Sequence, residues 1–145
     1  MEEKTDPKKE AQAKRVQQKY FELQMLDQQM KQVQKQVEAI ERQVGEIEEV
    51  QQSLDALGKS KQGAEMWVPV SSGIFLKARL DDNESLAVNV GGNTVVRKDI
   101  PTTKAMLAQQ AVEMRNFQAE IVGQFEKMAE KAAAMQQELQ ELVGA

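Results

Sequence analysis

Few side chains in this sequence could do covalent chemistry. It contains no Cys and no His, which removes thiol nucleophiles, disulfides, imidazole acid–base work and the usual zinc ligands together. Asp81, Asp82 and Glu84 are close enough in sequence to hold a cation, but with Asn83 among them a solvated turn is expected instead. Gly91-Gly92 has only the glycines of a phosphate-binding loop. No Lys-Ser/Thr follows and no helix opens there, so a hairpin turn is expected. No catalytic residue, metal or cofactor is assigned, and the chain is not expected to be an enzyme.

What remains is non-covalent binding by apolar side chains. The candidates cluster toward the two ends of the sequence: Val16, Tyr20, Phe21, Leu23, Met25 and Leu26 at one, Met128, Met135, Leu139, Leu142 and Val143 at the other. Met suits promiscuous contact because its thioether chain is flexible and polarisable. Ala132-Ala133-Ala134 gives the second group a narrow helical surface.

Periodicity supplies the elements that position these residues. From about Pro7 to Leu57, apolar residues recur at alternating steps of three and four. One edge of the seam holds Val16, Leu23, Met30, Val37, Val44 and Gln51, the other Lys19, Leu26, Val33, Ile40, Ile47 and Leu54. Such a run over more than five heptads predicts a coiled-coil helix over 7–57, roughly 75 Å long. Asp6 or Thr5 can cap its start and Gly58 its end. Tyr20, Phe21 and Met25 fall outside the seam, with Phe21 pointing away from any partner helix.

Residues 66–100 change to strand spacing. Trp67-Val68-Pro69-Val70 leads, with Pro69 fit only for an edge or a strand end. Ile74, Leu76, Ala78 and Leu80 then alternate with Phe75, Lys77 and Arg79. Asp81 to Glu84 supply a turn, Leu86, Val88 and Val90 form the returning strand, and Thr94 to Lys98, with Val95 and Val96, form another after Gly91-Gly92-Asn93. Four short strands in two hairpins cannot cover both faces by themselves. They are expected to pair with other chains through their open edges, or else to extend the core between the helices.

A second helix is expected over 102–143, with Pro101 in its first turn and Thr102 or Thr103 as cap. Its seam reads Leu107, Gln110, Met114, Phe117, Ile121, Phe125, Met128, Ala132, Met135, Leu139 and Leu142. The two successive steps of four at Phe117–Ile121–Phe125 predict a stutter. At roughly 60 Å, this helix folded back would end opposite Val16, giving an antiparallel hairpin with an N-terminal overhang.

Composition agrees with long solvated helices. The chain has 145 residues, an aromatic fraction of 4% and a net charge of −4, and it is rich in good helix formers. It carries no basic block for a phosphate backbone and no long apolar run, so neither nucleic acid nor membrane is an expected partner. A soluble cytoplasmic protein forming a single domain over 1–145 is expected.

The middle segment carries a family resemblance. Val68-Pro69, Ser71-Ser72-Gly73, Phe75-Leu76-Lys77-Ala78 and Val88-Asn89-Val90-Gly91 resemble the strand region of prefoldin alpha subunits, whose class has two hairpins where the beta class has one. Ser71 stands where that family usually has Gly, and a positive φ there would strain it. The resemblance implies a mainly α fold, a long antiparallel coiled-coil hairpin with two β-hairpins at the bend that join an intersubunit β-barrel. It implies beta-subunit partners, two alpha with four beta in a hexamer, and ATP-independent holding of non-native client proteins at the coiled-coil tips. Delivery to a group II chaperonin follows from it as well. The alternative is a structural coiled-coil scaffold or filament, which has the same helices but no use for an exposed Phe21; the plain structural reading of the off-seam residues is packing on a neighbouring helix in an oligomer.

Overall fold

A computed structural model describes residues 6–144. The elements run α1 (Pro7–Lys59), β1 (Glu65–Ser71), β2 (Ile74–Arg79), β3 (Leu86–Asn89), β4 (Val95–Lys98) and α2 (Ile100–Gly144). The chain divides into two compact units: one takes the residues up to Glu41 and from Asn116 onward, the other Arg42–Arg115.

The first unit is a pair of helical segments. Asp6 caps α1, its carboxylate accepting the Lys8 N–H at 3.1 Å; Thr5, the other expected cap, lies outside the described residues. Every expected seam position of α1 in this unit, Val16 to Ile40, is buried or half-buried, with Leu26 and Ile40 in the core. Ile121 and Leu139 are their buried counterparts on α2. The segments run antiparallel. Gln118 donates to the Glu41 carboxylate at 2.9 Å, Lys19 pairs with Glu138, and Gln12 donates to the Leu142 carbonyl at 2.8 Å. Exposed ion pairs contribute little stability, so the apolar seam holds the pair.

Two expectations about this unit need correction. Phe117 is not a seam residue: it is 56% exposed, and the half-buried position is Gln118. From Gln118 through Ile121, Phe125, Met128, Ala132, Met135 and Leu139 to Leu142, the steps of three and four alternate without a break, so the stutter is absent. The helix period outranks the apolar preference of one residue, and Gln118 occupies the seam because Glu41 satisfies its amide. The second correction concerns the overhang. With α2 extending to Gly144, Leu142 meets Gln12 and not Val16.

In the second unit, Val44 is the most deeply buried side chain, with Ile47 and Thr103 also buried. Gln51, a polar seam residue, reaches the Lys104 carbonyl at 3.4 Å. Arg115 pairs with Glu48 at 2.9 Å and Lys104 with Asp55, which fixes the antiparallel sense here. Gln110 is exposed and Ala111 half-buried in its place, the same one-residue phase correction as at Phe117.

The helix ends are capped by residues other than those expected. Gly58 lies within α1 and is absent from the positive-φ glycines, so it is not the terminal cap. Asn83 takes that role. Its side-chain amide donates to the carbonyls of Leu57, Gly58 and Ser60 at 3.3, 3.2 and 3.1 Å, at a helix end where carbonyls lack intrahelical partners; the Leu57 carbonyl also accepts the Ser60 N–H. Asn83→Ala should cost about 1 kcal/mol of stability and speed amide exchange at the end of α1. Unchanged exchange there in a hydrogen-exchange experiment would contradict this role.

At α2 the cap is Asp99, not Thr102 or Thr103. The Thr102 N–H donates to the Asp99 carboxylate at 2.8 Å, and the Thr103 hydroxyl bonds the Asp99 carbonyl at 2.8 Å. The Thr102 hydroxyl, then the Thr102 N–H, lower the Asp99 carboxyl below its ordinary value of 3.8. A carboxyl lowered on folding stabilises the fold above its ordinary value, and that contribution fades as pH falls toward the lowered one.

The strands form two separate antiparallel hairpins, β1–β2 and β3–β4. Strand β3 pairs with β4 and not, as the turn at 81–84 suggests, with β2. In the first hairpin Trp67 faces Lys77 and Val68 faces Leu76, with a register shift between Pro69 and Ser71. Ser71 is not among the residues with positive φ; Gly73, at φ 78°, makes the tight turn, so Ser at 71 is unstrained. In the second hairpin Leu86 faces Lys98 and Val88 faces Val96. Its turn is made by Gly91, Gly92 and Asn93, all at positive φ.

Candidate functional site

Two surfaces stand out, each within one unit. In the first unit, the helical pair is lined with apolar side chains where residues 20–30 meet 131–144. On one flank Phe21, Met25 and Leu26 of α1 meet Met135 and Lys131 of α2 around a groove of about 200 Å³. On another, Tyr20 and Leu23 meet Leu139 and Val143 around an open groove of about 540 Å³. A third, of about 400 Å³, lies between Leu23 and Met30 of α1 and Ala132 and Gln136 of α2.

The candidate residues divide by role. Leu26 and Leu139 are core, forming groove floors; Val16, Leu23, Met128, Met135 and Leu142 are half-buried. Tyr20, Phe21, Met25 and Val143 are exposed, at 54, 63, 44 and 65%. The seam beneath these four is filled by other side chains, and much of their surface is left uncovered. Apolar side chains left uncovered around grooves are candidates for recognition. Gln136, which lines two of the grooves, was not identified from sequence because a Gln outside the seam carries no apolar signal.

The second surface is the hairpins. Val68, Val70, Ile74, Phe75, Leu76, Val90 and Val95 are exposed. Ala78, Leu80, Leu86, Val88 and Val96 are half-buried. In a ladder, residues directly opposite share a face. Trp67 and Phe75 therefore lie on one face of the first hairpin and Val68 and Leu76 on the other, and both faces are uncovered in the single chain. With each sheet limited to two strands, every strand also keeps an unpaired edge. Trp67, 67% exposed, belongs with this surface and was read from sequence only as part of a strand.

Among the described residues no group of His, Cys, Asp or Glu could hold a metal ion, and no helix is long and apolar enough to cross a membrane.

Comparison with known proteins identifies the family. The Prefoldin family model (Prefoldin subunit) matches residues 26–145. A prefoldin subunit alpha of Methanococcus aeolicus is 26% identical over 130 residues, covering 90% of this chain and 88% of the relative. One from Methanobrevibacter smithii is 27% identical over 126 residues, covering 80% and 86%. The filamentous PFD from Methanocaldococcus jannaschii, solved by cryo-EM, superposes with a TM-score of 0.72 at 13% identity. That match covers 79% of this chain and 95% of that one, a likeness of fold alone. A family match of this extent, with alpha-type relatives aligned along most of the sequence, shows that the chain belongs to the prefoldin family as an alpha-type subunit.

Proposed function

We propose that this chaperone subunit acts without ATP, holding non-native proteins at the end of its first unit and passing them to a group II chaperonin in the cytoplasm. The observation that carries the reading is the exposure of Tyr20, Phe21, Met25 and Val143 over a seam already filled by Leu26 and Leu139. A partially unfolded client exposes apolar segments, and covering them against these side chains is favourable at about 25 cal/mol per Å². Binding of this kind is non-directional and undemanding of sequence, which suits a holder of many clients. It needs no catalytic group, and the protein is not an enzyme in this reading.

The hairpins supply the assembly. Their uncovered faces and open edges are proposed to join beta subunits in a β-barrel, two alpha subunits with four beta, with the chain acting as one prefoldin-like domain over 1–145. Neither nucleic acid nor membrane is a partner. The test is aggregation of a chemically denatured client in the presence of the assembled protein, with no nucleotide added. Suppression is expected; aggregation at the rate of the client alone would contradict the reading.

A second reading, a filament or scaffold component, is favoured by the fold shared with the filamentous PFD. Native mass separates the two. A closed hexamer with a second subunit type supports the chaperone, and an open-ended series of sizes supports the filament.

A further inference from the structure

We infer that Met25 is an oxidisable switch on client holding: a hydroperoxide converts its thioether to the sulfoxide and puts a polar group among the apolar side chains of one groove of the first unit. The inference rests on the proposed holding function and adds a means of regulating it. In a chain without Cys, thioethers are the only sulfur a peroxide can attack. The described methionines differ in access. Met25 is 44% exposed, and the other six described methionines are half-buried.

Position sets the consequence. Met25 lies outside the seam, so its oxidation removes no side chain from the helix pairing. It does line the groove shared with Phe21 and Met135. Met30 and Met128, by contrast, sit in the seam, where a sulfoxide would disturb packing as well as binding. Met25 is therefore the described methionine at which oxidation alters binding and leaves the fold intact.

The step balances. The Met25 sulfur attacks one peroxide oxygen, the O–O bond breaks and an S–O bond forms. Sulfur is oxidised by two electrons, and the other oxygen leaves as water or an alcohol after taking up a proton. The sulfoxide is polar and is returned to the thioether by a sulfoxide reductase with a thiol reductant.

The test titrates the assembled protein with hydrogen peroxide and follows each methionine by peptide mass spectrometry, beside helical circular dichroism and client aggregation. Met25 sulfoxide should form ahead of that at the other six described methionines in the folded protein. Holding should fall in proportion to it while the helical signal stays constant, and reductase treatment should restore holding. Met25→Leu should keep after peroxide whatever holding it had before. Oxidation of another described methionine first, or full Met25 sulfoxide with unchanged holding, would overturn the inference. If the untreated protein suppresses no aggregation, the holding function itself fails; if it suppresses aggregation and peroxide has no effect, only this inference does.

Discussion

Deleting residues 1–27 and 129–145 should abolish suppression of client aggregation, because it removes every exposed apolar side chain of the grooves together with their floors. A gentler variant separates binding from folding. Tyr20→Ser with Phe21→Ser leaves the seam untouched, since these side chains are 54 and 63% exposed, and exposed substitutions of this kind shift stability by only about ±0.5 kcal/mol. Each lost aromatic contact with a client should cost about 1.5–3 kcal/mol, on the order of ten- to a hundredfold in holding affinity. Retained suppression by both variants, measured by light scattering, would move the binding site away from this end.

Val88→Asp is expected to break the assembly while sparing the helices. Val88 is half-buried opposite Val96, on the same face as Leu86, and this face is proposed to be covered by neighbouring strands in the assembled protein. Burying an unpaired carboxylate costs several kcal/mol, more than a two-stranded hairpin of marginal stability can absorb. The helical segments draw on separate residues, among them Val44, Ile47 and Ile121, and should keep their signal. Sedimentation combined with circular dichroism reads both quantities. An intact oligomer would show that this face is not at the interface, and joint loss of oligomer and helix would show that the two are not separable.

The strongest sequence signals were those with a period. The α1 seam was legible throughout: every expected position is buried or half-buried, because side chains repeating every three and four residues have one face on which to be covered. The α2 seam was legible except at Gln110 and Phe117: choosing apolar Phe117 over the strict period shifted the phase by one, and that shift carried the seam to Gln110 instead of Ala111. A seam continued backward from Phe125 by alternating steps would have found Gln118 and Ala111. The two hairpins were legible from alternation and glycines.

The caps were not. Asn83 reads as a turn residue, and its bonds to the end of α1 join positions more than twenty residues apart, a tertiary fact with no local signature. Asp99 was passed over for the threonines beside it, since all three are good cap residues. The exposure of Phe21 and Met25 was expected from heptad position alone, whereas the grooves beside them depend on how α2 faces α1.

The most direct measurement places a photo-crosslinking side chain at Phe21, and separately at Glu38, an exposed position in the same unit, and presents the assembled protein to one labelled, chemically denatured client. Crosslinks from position 21 and none above background from position 38 are the expected result. Equal labelling from both positions, or labelling from position 38 alone, would contradict client holding at the apolar end of the first unit.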